Sequence, residues 1–183
     1  MAVEVAAERH LFLPPPKDTD FSPTTEPFRY CTLHDTESLW WISVFSLFCN
    51  RPEEVSADFD LEKQKADART LFPLQLHIHR QNAFQTSSMF KEMIPHLPVQ
   101  LHKIAEALDR MRRRLVMAYW TAEHEGGLDP SEFGKLHEFF EKLLMDVVPH
   151  CKDIQLHLGL NSESKRRART DLEGPNSSKK TRI

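Results

Sequence analysis

Glycine is scarce. The 183 residues hold five, at positions 126, 127, 134, 159 and 174, and none stands in the first 125. Loops that cradle phosphate need glycine where the backbone approaches the oxygens. No strand-like segment precedes Gly126, Gly127 or Gly134, and no Lys-Ser or Lys-Thr pair follows them at phosphate-loop spacing. A nucleotide-binding loop of either common type is therefore missing from the sequence. Cysteine is nearly as rare: Cys31, Cys49 and Cys151 are odd in number and far apart. That argues against a disulfide framework and fits a reducing compartment. No apolar run approaches the ~18 residues of a membrane span. The N-terminus has no basic flank ahead of an apolar core, so a secretory leader is not expected. The expected setting is intracellular, in nucleus or cytoplasm, with no membrane partner.

Catalytic and metal signatures are missing as well. There is no Cys-x-x-Cys, no His-Glu-x-x-His and no Gly-x-Ser-x-Gly. Ten histidines are present, but His77-x-His79 alone has a ligand-like spacing, which on a strand would set both rings on one face. Cys31 and Cys151 each have a histidine within three positions, and sequence proximity alone builds no dyad. Cys49 reads as a core thiol. A metal site and a cysteine or serine nucleophile are both disfavoured.

The chain is rich in apolar, helix-compatible segments. Residues 1–34 are broken by Pro14, Pro15, Pro16, Pro23 and Pro27 and read as an irregular lead-in, with a short helix over Ala2–His10. Residues 35–50 follow. Asp35 suits an N-cap, and Glu37 suits the first turn, where the helix dipole favours it. Leu39, Trp40, Trp41, Ile42, Val44, Phe45, Leu47 and Phe48 occupy every side of the helical wheel, which predicts a helix buried all round. A strand is the alternative, because Trp, Ile, Val and Phe also favour strands; length and cap favour the helix.

Residues 51–59 read as a loop from Pro52, and helices are expected over 61–71, 82–94, 99–124 and 130–148. The long one carries Leu101, Ile104, Ala105, Leu108, Met111, Leu115 and Tyr119 at close to a 3.6-residue period. The last opens at Asp129-Pro130, carries Phe133, Leu136, Phe140, Leu143, Leu144 and Val147, and is broken by Pro149 and Gly159. The expected fold class is mainly α over residues 35–160, with a basic tail at 161–183 too poor in apolar residues to pack.

Net charge is −3, and it is unevenly placed. The tail holds Lys165, Arg166, Arg167, Arg169, Lys179, Lys180 and Arg182 against three acidic residues, or +4, which leaves −7 for residues 1–160. An acidic body is not a general nucleic-acid binder. The two tail clusters resemble nuclear-import signals that an importin would recognise, or they simply solubilise the chain. Arg112, Arg113 and Arg114 point to three faces of a helix and form no single patch.

Two motifs, in this order, resemble a known family. Met1-Ala2-Val3-Glu4 resembles the Met-Ala-Pro-Glu segment that closes the activation segment of protein kinases. His34-Asp35-Thr36-Glu37-Ser38-Leu39-Trp40-Trp41 resembles the His-Asp-x-Glu-Ser signature of the fungal-type protein kinases, where it opens the central helix of the C-terminal lobe. Ala68-Arg69-Thr70-Leu71-Phe72-Pro73 and Asp109–Leu115 also look like that family's C-terminal region.

The resemblance covers about residues 1–160 and implies a kinase-like C-lobe portion built around the aromatic helix. It implies that Glu4 pairs with one of Arg110, Arg112, Arg113 or Arg114, against the plainer expectation of a solvated carboxylate. It implies that Asp35 and Ser38 match an Asp-x-Trp-Ser motif whose aspartate accepts catalytic-loop amides; a simple helix cap is the alternative. The glycine-rich loop, paired lysine, catalytic aspartate and magnesium-binding aspartate precede this region in the family. No residue here is thereby assigned to phosphoryl transfer, and ATP and Mg would belong to a preceding part. An open helix around Trp40, Trp41, Phe45 and Phe48, with a protein partner covering it, is the corresponding expectation. The other candidate functions are a non-catalytic helical binding module and a helical nuclear protein with a basic tail.

Overall fold

A computed structural model describes residues 2–7, 11–12, 30–73, 78–124 and 130–158. Its axis is a pair of helices, α2 (Thr32–Phe48) and α6 (His102–His124). The shorter α1 (Val3–Ala7), α3 (Leu61–Leu71), α4 (Ile78–Gln85) and α5 (Ser87–Met93) precede α6, and α7 (Pro130–Cys151) follows it. The mainly helical fold class holds.

Trp40 and Trp41 lie in the middle of one core, meeting edge to face at 4.7 Å between ring centroids. Trp40 also packs on Phe84 and Phe90, each at 5.4 Å, and its indole N–H donates to the Leu108 carbonyl at 2.7 Å. That bond spans 68 positions and fixes α2 against α6 while satisfying a polar atom in an apolar site. The apolar stripe of α6 is buried as its period predicts, from Ala105 through Tyr119, with Ile104 half-buried. Leu136, Phe140, Leu143 and Val147 bury α7, whereas Leu144 stays open.

Several expectations need correction. Helix α2 begins at Thr32, capped at Cys31 rather than Asp35: Cys31 is extended (φ −137°, ψ 167°), and its N–H donates to His34 Nδ1 at 2.8 Å. The side chain returning from the third helical position does the capping. Nor is α2 buried all round. Leu33, Glu37, Trp40, Trp41, Val44, Leu47 and Phe48 form a covered half, but Leu39, Ile42 and Phe45 are exposed on the other. The outer side is only partly met within the described residues, chiefly where Phe45 packs edge to face on Phe72, with centroids 5.1 Å apart.

The helix expected over 82–94 is two helices, α4 and α5, separated by an extended Thr86 (φ −99°, ψ 121°) and closed by a 3₁₀ turn at Ile94–His96. His79 sits on α4, not on a strand. Pro149 stays inside α7, in its last turn, where the lost N–H costs one bond and nothing follows to be kinked. The loop expected from Pro52 begins with a short strand: β1 (Asn50–Pro52) pairs antiparallel with β2 (Leu156–Leu158), Arg51 opposite His157. Residue pairs so far apart give no local periodic signal. Asp60 caps α3 as a side-chain acceptor from the Glu62 and Lys63 amides. Gln64, fully buried, donates to the Leu47 and Asn50 carbonyls at the end of α2.

Among the described residues no helix is long and apolar enough to cross a membrane. The tail with Lys165, Arg166, Arg167, Arg169, Lys179, Lys180 and Arg182 lies outside the described residues, as do His77 and residues 8–10 of the expected first helix.

Candidate functional site

The chemistry-bearing side chains that the fold gathers are acidic and buried. Glu37 stands one turn into α2 and is 0% exposed. Its Oε1 accepts the Val3 backbone N–H at 2.7 Å and the Trp41 indole N–H at 2.8 Å; its Oε2 accepts the Tyr119 hydroxyl at 2.8 Å. One carboxylate thereby joins α1, α2 and α6. Burial pushes the Glu37 carboxyl above its ordinary value, against the pull of its three donors. The Tyr119 phenol is driven far up by burial and by the adjacent Glu37, so it remains a donor. Arg80 lies over the Trp41 ring, its guanidinium carbon 4.2 Å from the centroid, at the edge of the same cluster.

Glu4 is the second member, 1% exposed. Its Oε1 accepts the Leu11 N–H at 2.6 Å, and its Oε2 lies 3.1 Å from His34 Nε2. The ring's other nitrogen receives the Cys31 N–H, so its lone pair stays on Nδ1 and its proton on Nε2, facing Glu4. Burial opposes a charged ring, yet Cys31 and Glu4 together pull its pKa up to about 9. We assign the neutral Nε2–H form all the same, because an imidazolium would set two hydrogens against each other at Nδ1. Against the cost of burial, the His34 bond, Glu123 and the Leu11 N–H hold Glu4 below the ordinary carboxylate range.

The third carboxylate is Glu123, near the end of α6. Its Oε2 accepts the Phe12 N–H at 2.9 Å, and its Oε1 is buried without a hydrogen-bond partner among the described residues. Burial and the neighbouring Glu4 charge push Glu123 up to about 8. A proton on Glu123 relieves its repulsion with Glu4. Phe12 then stacks on Tyr119, centroids 5.1 Å apart and rings nearly parallel at 9°. Three carboxylates thus receive three backbone amides of the N-terminal segment, at Val3, Leu11 and Phe12. The arrangement is a latch that orders a chain segment.

The expected site residues scatter. Glu4 pairs with His34, and none of the four arginines reaches it. Arg110, Arg112, Arg113 and Arg114 stand 9 to 13 positions before Glu123, roughly 14–20 Å away along the α6 axis. Arg112 is buried on Asp109 Oδ1, with Nε at 3.0 Å and Nη2 at 2.7 Å, and its Nη1 donates to the Phe84 carbonyl at 2.7 Å. Arg113 Nε reaches Asp109 Oδ2 at 3.3 Å; Arg110 and Arg114 are exposed. Asp35 is exposed and accepts the Tyr30 hydroxyl, and Ser38 is half-buried.

The sequence reading missed His34, Glu37, Tyr119 and Glu123 as members of the cluster. A carboxylate inside an apolar helical run, three positions after a histidine, was the available signal for Glu37 and His34. Nothing local marked Tyr119 or Glu123. Burial raises the Cys49 thiol to about 11, which leaves it unreactive. Trp40, Trp41 and Phe48 are covered by this chain, and of the four named aromatics only Phe45 is open, at 50% exposure.

The second feature is a surface. Asp35, Leu39 and Ile42 recur at one helical face of α2, with Phe45 beside them. Below Ile42, Ser46 and Leu47, a groove of about 360 Å³ runs between α2, α6 and α7, walled by Leu101, Leu144, Val148 and Leu156. Contiguous apolar exposure of this kind occurs at protein or membrane contacts, at ligand grooves and on aggregation-prone surfaces.

No known family model, curated protein or solved structure matches the chain.

Proposed function

We propose that this chain is the catalytically incomplete C-terminal portion of a fungal-type protein kinase domain, with α2 as the central helix of its lobe. Joined to a segment that supplies the ATP-binding and catalytic loops, it forms a protein kinase; alone it transfers no phosphate. One observation carries this proposal: the outer half of α2 is apolar, exposed and headed by Asp35. The resemblance assigns that aspartate to the amides of a catalytic loop, and Leu39 and Ile42 lie one and two turns along the same face. A loop and helices folding over Asp35 would cover both. In the absence of that cover the same face suits a non-catalytic binding module, the second reading that the groove favours.

The test is the intact mass of the native polypeptide together with the 5′ end of its transcript. An open frame running upstream into a glycine-rich loop, a strand lysine and a catalytic aspartate is the expected result. A native product consisting of these residues alone, unfolding cooperatively as a monodisperse monomer, would overturn the kinase reading and leave the binding module.

A further inference from the structure

The solvent side of α6 carries a feature independent of the α2 face. Arg110, Arg113 and Arg114 follow at i, i+3 and i+4 and border a shallow depression of about 270 Å³. Its floor is Met117, 55% exposed, and Phe139 of α7, 38% exposed. Among the described residues no acidic side chain lines it. The neighbouring carboxylate is already committed: Asp109 binds Arg112 through Oδ1 and Arg113 through Oδ2. Arg110 and Arg114 make no ion pair among the described residues, although like charges four apart are unfavourable on a helix. Glu106 and Asp109 lie on the adjoining hollow with Lys91 and His102, a hollow that Arg110 and Arg113 also border.

Two guanidinium groups without an ion pair among the described residues, Arg110 and Arg114, beside an exposed methionine and phenylalanine have a defined complement. Arginine pairs carboxylates in a planar fork, methionine adapts to varied apolar shapes, and arginine with aromatic residues dominates binding hot spots. We propose that this face docks an acidic peptide segment of a partner protein with an aliphatic or aromatic residue among its carboxylates. The apolar side chain seats on Met117 and Phe139, and the flanking carboxylates bridge to Arg110 and Arg114. A nucleic acid is the poorer fit: the −7 carried by residues 1–160 repels a long polyanion, and phosphates make no use of the apolar floor.

The experiment selects random phage-displayed peptides on the full chain and counter-selects on the R110E/R114E chain, which keeps the basic tail and so removes tail-directed binders. Peptides that combine acidic residues with an apolar anchor are expected to survive. A synthetic copy of one should lose about tenfold or more in affinity on R110E/R114E, lose affinity on M117Q, and weaken with added salt. Both variants should keep the wild-type urea midpoint, since all three positions are exposed; R110Q/R114Q serves if the charge reversal unfolds the chain. The proposal is overturned if no peptide survives counter-selection or if the survivors carry no acidic residues. It is equally overturned if a single-stranded oligonucleotide or a phosphatidylserine vesicle, and no peptide, binds through these arginines.

Discussion

Tyr119 donates a 2.8 Å hydrogen bond to Glu37 across 82 positions of sequence, and both residues are sealed from solvent. The bond joins the first turns of α2 to the far half of α6. Removing the hydroxyl strips a buried carboxylate oxygen of its donor, which costs about 1–3 kcal/mol. Tyr119→Phe should therefore lower the urea midpoint with an unchanged slope. A loss under about 0.5 kcal/mol, the size of an ordinary surface substitution, would show that water reaches Glu37.

Glu123 makes stability pH-dependent in a definite sense. Its folded pKa, about 8, lies above the ordinary 4.5, so the folded chain holds the extra proton. That contribution is complete below the ordinary carboxyl value and is lost as pH rises through about 8. Glu37 is raised and acts in the same sense; Glu4 is lowered, and its contribution is lost toward acid. The urea midpoint should fall from about pH 4.5 to about pH 8 and level off above that. Glu123→Gln, which carries no titrating proton, should flatten that fall, and equal slopes for variant and wild type would contradict the assignment.

The three tryptophans should separate optically. Trp40 and Trp41 are 0% and 2% exposed, and Trp120 is 46% exposed. Acrylamide should quench one population only, and Trp120→Phe should leave a blue-shifted emission resistant to quencher. Trp40→Ala, which also removes the indole bond to the Leu108 carbonyl, should cost about 3–5 kcal/mol.

Asp109 and Arg112 form a buried pair whose halves are unequal to lose. Arg112→Leu leaves a buried carboxylate with Arg113 alone and should destabilise by about 3–5 kcal/mol. Adding Asp109→Leu should return much of that loss in the double variant. Simple additivity of the two substitutions would mean that the pair is not coupled.

On α2, Leu39→Glu with Ile42→Glu should raise solubility and suppress binding of an apolar dye, while the urea midpoint moves by no more than about 0.5 kcal/mol. A large destabilisation would show that this face is covered within the chain.

Helices were legible where one face repeats over many turns. The long stripe from Leu101 to Tyr119 is a local signal, and α6 follows it. What failed depended on partners distant in sequence. The wheel of α2 is apolar throughout, so its composition could not tell the half that meets Leu108 from the half that meets solvent. Glu37 read as a residue placed for the helix dipole; only Tyr119 and the Val3 amide make it a buried junction. For Glu4 the resemblance implied an arginine partner and the residues alone a solvated carboxylate; the fold buries it against His34. His34 wins because its neutral ring also caps α2, whereas Arg112 is engaged by Asp109 three positions away on the same helix. The β1–β2 ribbon, three residues on each side, has no period long enough to read.

The 68 positions between Trp40 and Leu108 also set a schedule for synthesis. At about 5–20 residues per second on a ribosome, α2 waits roughly 3–14 s before the segment that covers its tryptophans has been made. During that interval the tryptophans lack their α6 cover, although Phe84 and Phe90 have already been made. An α2 segment uncovered in this way has the character that chaperones for exposed hydrophobic segments recognise, and Leu39, Ile42 and Phe45 keep that character in the folded chain.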